Sequence, residues 1–88
     1  MLTVSDRTKR RLKETLLELT DDPEIGLKLS LPLSGRPMVE LDRGAEGDQV
    51  VEYEGAKVLL VPSDLAPIVH GKTLDVEDTA NGLKLVIS

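Results

Sequence analysis

Apolar residues recur along the chain in two rhythms, and the change from one to the other marks out its elements. From Ser5 to Thr20 the rhythm is helical. Thr8, Leu12, Leu16 and Leu19 fall three or four positions apart, with Leu17 beside them, and charged residues fill the gaps. This spacing predicts a helix over 5–20 that buries one stripe. Ser5 suits the N-cap, because its hydroxyl can accept from an otherwise unpaired amide of the first turn, and Asp6 suits the positive end of the helix dipole. Asp21-Asp22-Pro23 ends the helix, since a residue before proline disfavours helical backbone. Leu2 to Val4 predicts a short strand ahead of the cap.

After Pro23 the period becomes two. Ile25, Leu27, Leu29 and Leu31 alternate with Gly26, Lys28 and Ser30, which predicts a half-buried strand over 24–31. Pro32-Leu33-Ser34-Gly35-Arg36-Pro37 reads as a loop, and Met38 to Leu41 as a second short strand. A polar turn follows over 42–48. Segments 49–54 and 57–61, either side of Gly55-Ala56, predict a hairpin whose second arm, Lys57-Val58-Leu59-Leu60-Val61, is the more buried. Pro62-Ser63-Asp64 opens a short helical turn ending near His70-Gly71, with Pro67 in its first turn. Thr73 to Asp78 predicts a strand with Leu74 and Val76 inward. Asn81-Gly82 is a hairpin signal, and Leu83 to Ile87 closes the sheet. One helix, several strands, a short helix and two strands make an α+β domain: small, mainly antiparallel sheets covered by an amphipathic helix.

Composition narrows the chemistry. The 88 residues, 9.6 kDa, are expected to form one domain over 1–88, with no linker or repeat. The core must be aliphatic: 16 Leu, 9 Val and 3 Ile stand against one Tyr and no Phe or Trp. With no cysteine, the sequence offers no disulfide, thiolate metal site or thiol nucleophile. With His70 as the one histidine, it cannot build a two-histidine zinc site within one chain. There is no G-x-S-x-G motif and no Gly-rich phosphate loop, so nothing points to an enzyme. The net charge of −5 and the lone aromatic disfavour nucleic acid as a partner. No apolar run approaches the ~20 residues of a membrane span, and no apolar stretch follows the N-terminal charges as in a secretory signal. A soluble, cytoplasmic protein is the expectation. Charge is also uneven: residues 1–20 carry +2 and residues 21–88 carry −7.

The whole chain, over about 2–87, resembles the A-type iron–sulfur carrier family, also called HesB/IscA-like. Leu2-Thr3-Val4-Ser5 before a helix is similar to the family's start, Gly26-Leu27-Lys28-Leu29 to its first core strand, and 51–61 to its central hairpin. Leu65 to Val76 carries the most specific likeness, with Gly71 and then Thr73-Leu74-Asp75-Val76; Asn81-Gly82-Leu83-Lys84-Leu85 resembles the final strand. The resemblance implies a HesB-like fold of two packed β-sheets with helices, usually dimeric or tetrameric, and a role in assembling or delivering iron–sulfur clusters. It also implies three cysteine ligands, one in a Ser-Gly-Cys context in the loop after the first core strand and two in a Cys-Gly-Cys tail. Here Ser34-Gly35 match, but Arg36 stands where that first cysteine is expected, and this sequence contains neither it nor the tail pair. A guanidinium only donates and stays positive, so it cannot replace a thiolate.

The candidate residues follow. Ser34, Gly35 and Arg36 form a loop whose planar donor fork could bind a carboxylate or phosphate; the alternative is a solvated loop arginine. Arg7, Arg10 and Arg11 could dock an acidic partner or the acidic body of a second copy, or could simply be a solvated helix face. His70 could carry a proton or a metal, or could complete the short helix ahead of Gly71. Asp75, Glu77 and Asp78 alternate across a strand, so they converge poorly on a hard cation. The expectation is a non-enzymatic member of the fold with no metal or cofactor site, acting through a protein partner, with a homodimer as an open alternative to the monomer. The alternative is an interaction or anion-binding module on the same scaffold, unconnected with iron and sulfur.

Overall fold

A computed structural model of the chain describes residues 1–32, 35–80 and 82–88. Nine elements follow in order: β1 (Thr3–Val4), α1 (Asp6–Leu19), β2 (Gly26–Ser30), β3 (Met38–Asp42), β4 (Gln49–Tyr53), β5 (Ala56–Val61), α2 (Ala66–Val69), β6 (Thr73–Thr79) and β7 (Gly82–Ile87). They form two small sheets, one of strand order β1-β6-β7 and one of order β3-β2-β5-β4. The α+β reading and both helices stand. Hairpin pairs β2·β3, β4·β5 and β6·β7 are antiparallel. Two parallel pairings, β1·β6 and β2·β5, stitch these hairpins into sheets. Local alternation cannot announce such pairings, because they join segments far apart in sequence.

The helix starts as its cap predicts. Ser5 Oγ accepts from the Thr8 amide at 3.2 Å and donates to Thr8 Oγ1 at 2.8 Å. Thr8, Leu12 and Leu16 are buried, but Leu19 and Leu17 are 59% and 61% exposed. Leu19 lies on the stripe by angle. It is also the last helical residue, and no sheet covers it there. Predicted burial at Leu19 therefore fails for want of a partner, while the helical period is right.

One core cluster draws Leu12 and Leu16 from α1, Leu27 and Leu29 from β2, Leu59 from β5, and Leu74 and Val76 from β6. Helix α1 and both sheets thus share it. β5 is buried from Val58 to Val61, the continuous run expected of a central strand covered on both faces. Leu60 is also buried but lies outside the main cluster, beneath the 43–48 turn, where a Cβ on Gly44 would stand 3.4 Å from its methyl groups. Gly26 is a packing requirement: a Cβ there would meet the Lys57 carbonyl oxygen at 2.8 Å.

The β4–β5 turn lies one residue earlier than expected. Tyr53 pairs with Ala56, so Glu54-Gly55 makes the turn, with φ of 51° and 81°. A type I′ two-residue hairpin turn wants positive φ at both positions, and Gly55 supplies one freely. Glu54 is an unusual residue for the other. Lys13 reaches over from α1, 3.6 Å from Glu54 Oε1 and 5.9 Å from the Tyr53 ring centroid.

Candidate functional site

The loop that follows β2 leads from the core to the gap between the two sheets. Leu31 and Pro32 are half-buried, and the Gly35 amide donates to the Pro32 carbonyl at 2.9 Å. Gly35 has φ +88°, a conformation side chains rarely adopt. Arg36 is exposed at the rim and Pro37 leads into β3. Ser34 of the candidate loop, and Asn81 of the final hairpin signal, lie outside the described residues.

Across from Arg36 and Pro37 runs β7, an edge strand of its sheet. Three adjoining cavities lie in the gap, of about 560, 380 and 470 Å³, and each is lined by both Pro37 and Leu85. Together they make a groove along β7. One end meets Arg11, Glu18 and Asp78. The other meets Arg36, Lys72 and Lys84 over the aliphatic side chains of Val69 and Ile87.

The basic residues of α1 are placed differently. Arg7 lies 3.6 Å from Asp75 and Arg11 2.7 Å from Asp78, both on β6, and Arg11 also lies 3.5 Å from Glu14. Thr8 Oγ1, fully buried, donates to Asp75 Oδ1 at 2.9 Å. The carboxyl of Asp75 is held below the ordinary carboxylate range, chiefly by the Val76 amide and then by the Thr8 hydroxyl; burial opposes them, and the Arg7 charge adds the smallest lowering effect. The hydrogen bond from Arg11 to Asp78 raises the already high pKa of the guanidinium. Arg10 is exposed and has no ion-pair partner among the described residues.

His70 caps the end of α2, and its Nδ1 is hydrogen-bonded to the amino group of Met1. No hydrogen bond joins it to Asp64 or Asp75 among the described residues. No group of three or more His, Asp or Glu side chains gathers there either. Among the described residues, no helix is long and apolar enough to cross a membrane. Lys72 and Lys84 fall within stretches that carry the family resemblance, but nothing in their sequence neighbourhood marks them as binding residues; the fold alone brings them to Arg36. By spacing alone Thr8 is one more member of a buried stripe. A hydroxyl at the start of an apolar stripe needs a partner, and the fold supplies it as Asp75 on β6.

No family profile and no curated protein matches the sequence. Solved structures do. The crystal structure of Escherichia coli SufA, a protein involved in biosynthesis of iron–sulfur clusters, superposes with a TM-score of 0.76 at 19% identity, covering 99% of this chain and 83% of SufA. The solution structure of a protein from Aquifex aeolicus gives 0.73 at 25% identity, covering 99% and 89%. The crystal structure of IscA with a [2Fe-2S] cluster gives 0.66 at 11% identity, covering 100% and 84%. The chain shares their fold over its whole length.

Proposed function

We propose that this chain, which has the fold of the A-type iron–sulfur carriers, is an accessory member of that group that binds a protein partner and holds no cluster of its own. The observation that carries this reading is Arg36, in the loop between β2 and β3 where the resemblance expects a cysteine. Iron–sulfur clusters are held by thiolates, with histidine as an occasional substitute. A guanidinium has no lone pair to offer and repels a cation. The sequence has no cysteine and one histidine, and His70 lies past α2, outside that loop. The donor set therefore does not fit a cluster as cargo.

What supports an interaction role is the scaffold that remains. Its loop and open strand edges surround a groove, and binding residues commonly sit on loops held by a rigid sheet. Self-association in the cytoplasm belongs to the same reading, since Met38 and Leu41 on edge strand β3 are 56% and 41% exposed and would gain from burial. The test is anaerobic reconstitution with iron and sulfide, followed by assay of bound metal and acid-labile sulfide. The expected protein is colourless, with no iron or sulfide above a denatured control. A stoichiometric cluster would overturn the reading.

A further inference from the structure

The chain carries 11 Lys and Arg in all. Arg7, Lys9, Arg11, Lys13, Lys28 and Arg43 each lie within 3.8 Å of a carboxylate. Lys57 donates to the Arg43 carbonyl. That leaves Arg10, Arg36, Lys72 and Lys84 without a partner among the described residues. Of these, Arg36, Lys72 and Lys84 all line the same cavity, of about 380 Å³, and no carboxylate lines it. In a chain with 16 acidic residues and a net charge of −5, this concentration of unpaired positive charge is the main electrostatic anomaly of the surface. The carboxylate opposite Lys84 in register is Glu77, and the two are not ion-paired.

The cavity floor is aliphatic, with Val69 fully buried, Leu85 nearly so and Ile87 half-buried. Its side is the outer edge of β7, whose amides and carbonyls face no strand among the described residues. An open edge is a template for an added strand. The other sheet's open edges are less suitable for an anion: β3 carries Glu40 and β4 carries Glu52, both exposed.

We propose that the groove along β7 takes an extended, acidic segment of a partner protein, which adds to the β7 edge as a further strand. Its alternate aliphatic side chains rest on exposed Ile68 and half-buried Ile87, and its carboxylates meet Arg36, Lys72 and Lys84. Alternation of this kind is what a strand presents to one wall and one rim. The proposal rests on the reading that the chain acts by binding a protein, and names the chemistry of that partner.

The probe is a short capped peptide of alternating glutamate and valine, titrated into the intact protein at low salt. The controls are the lysine–valine and glutamate–serine peptides and the glutamate–valine peptide with alternate backbone amides methylated. The parent peptide is expected to bind, and to bind at least tenfold more weakly to Arg36→Ala/Lys84→Ala. Each control is expected to bind at least tenfold more weakly to the unmodified protein. Both side chains are exposed, so an unchanged circular dichroism melt confirms that the variant is folded. Equal binding of the lysine–valine peptide, or unchanged binding by the variant, would overturn the proposal. Equal binding of the methylated peptide would overturn strand addition. Cluster uptake in the reconstitution assay is read separately, so a failure of the cluster-free reading cannot be mistaken for a failure of the groove.

Discussion

Two basic regions of this protein contrast. On the face where α1 meets β6, Arg7 and Arg11 lie against Asp75 and Asp78, and Thr8 bonds to Asp75 beneath them. In the groove beside β7, Arg36, Lys72 and Lys84 have no carboxylate. From the sequence the helix looks like the docking surface, because its cations are consecutive. In the fold four of the five helix cations are ion-paired, while three scattered ones, Arg36, Lys72 and Lys84, have no partner among the described residues. Charge density along a chain is thus a poor guide to charge available at a surface. What matters is how many counter-charges the fold brings to each cation.

The contrast can be broken first at the helix. If α1 is held by its apolar stripe, with the ion pairs secondary, Leu12→Ala should destabilise the fold by about 2–5 kcal/mol, as deletion of a fully buried leucine does. Denaturant unfolding checks this. A loss under 1 kcal/mol would show that the stripe is not what holds the helix. Next comes the cap. Ser5→Ala removes the acceptor of the Thr8 amide and the donor to its hydroxyl, and should cost about 1 kcal/mol in the same experiment.

Acid titration sharpens the paired side. Asp75 has a depressed pKa in the folded state, so its contribution is fully present above the unfolded value of about 4 and is lost as the pH falls through the lower folded value. Melting temperature should therefore fall on acidification in that window, and fall less steeply in Asp75→Asn. Parallel curves would show that Thr8, Val76 and Arg7 do not stabilise the ionised carboxylate. The smallest effect belongs to the groove. Lys72→Ala and Arg36→Ala should change stability by no more than about 0.5 kcal/mol, because neither side chain is paired or buried. A larger loss would mean that these cations help to hold the fold.

Much of the fold was legible because its signals are local. Ser5 ahead of the helical stripe, the alternation of Ile25, Leu27 and Leu29, and the apolar run from Val58 to Val61 each mark an element through its own neighbours. The Glu54-Gly55 turn was misplaced by one residue because glutamate does not advertise positive φ. Leu19 looked buried because periodicity reports the angle of a side chain and says nothing about whether a sheet extends far enough to cover it. The site was half legible. Arg36 stood out against the family pattern in a Gly/Pro-framed loop. Lys72 lies just before β6 and Lys84 within β7, and they reach Arg36 only through tertiary packing. No reading of spacing could have joined them.

The most direct test of the division between occupied and free cations is an amide chemical-shift map of the intact protein titrated with the glutamate–valine peptide. The largest shifts are expected along 83–87 and around Arg36 and Lys72, while Arg7, Arg11 and Asp75 stay unmoved. Shifts centred on α1 and β6, with β7 unaffected, would contradict this division.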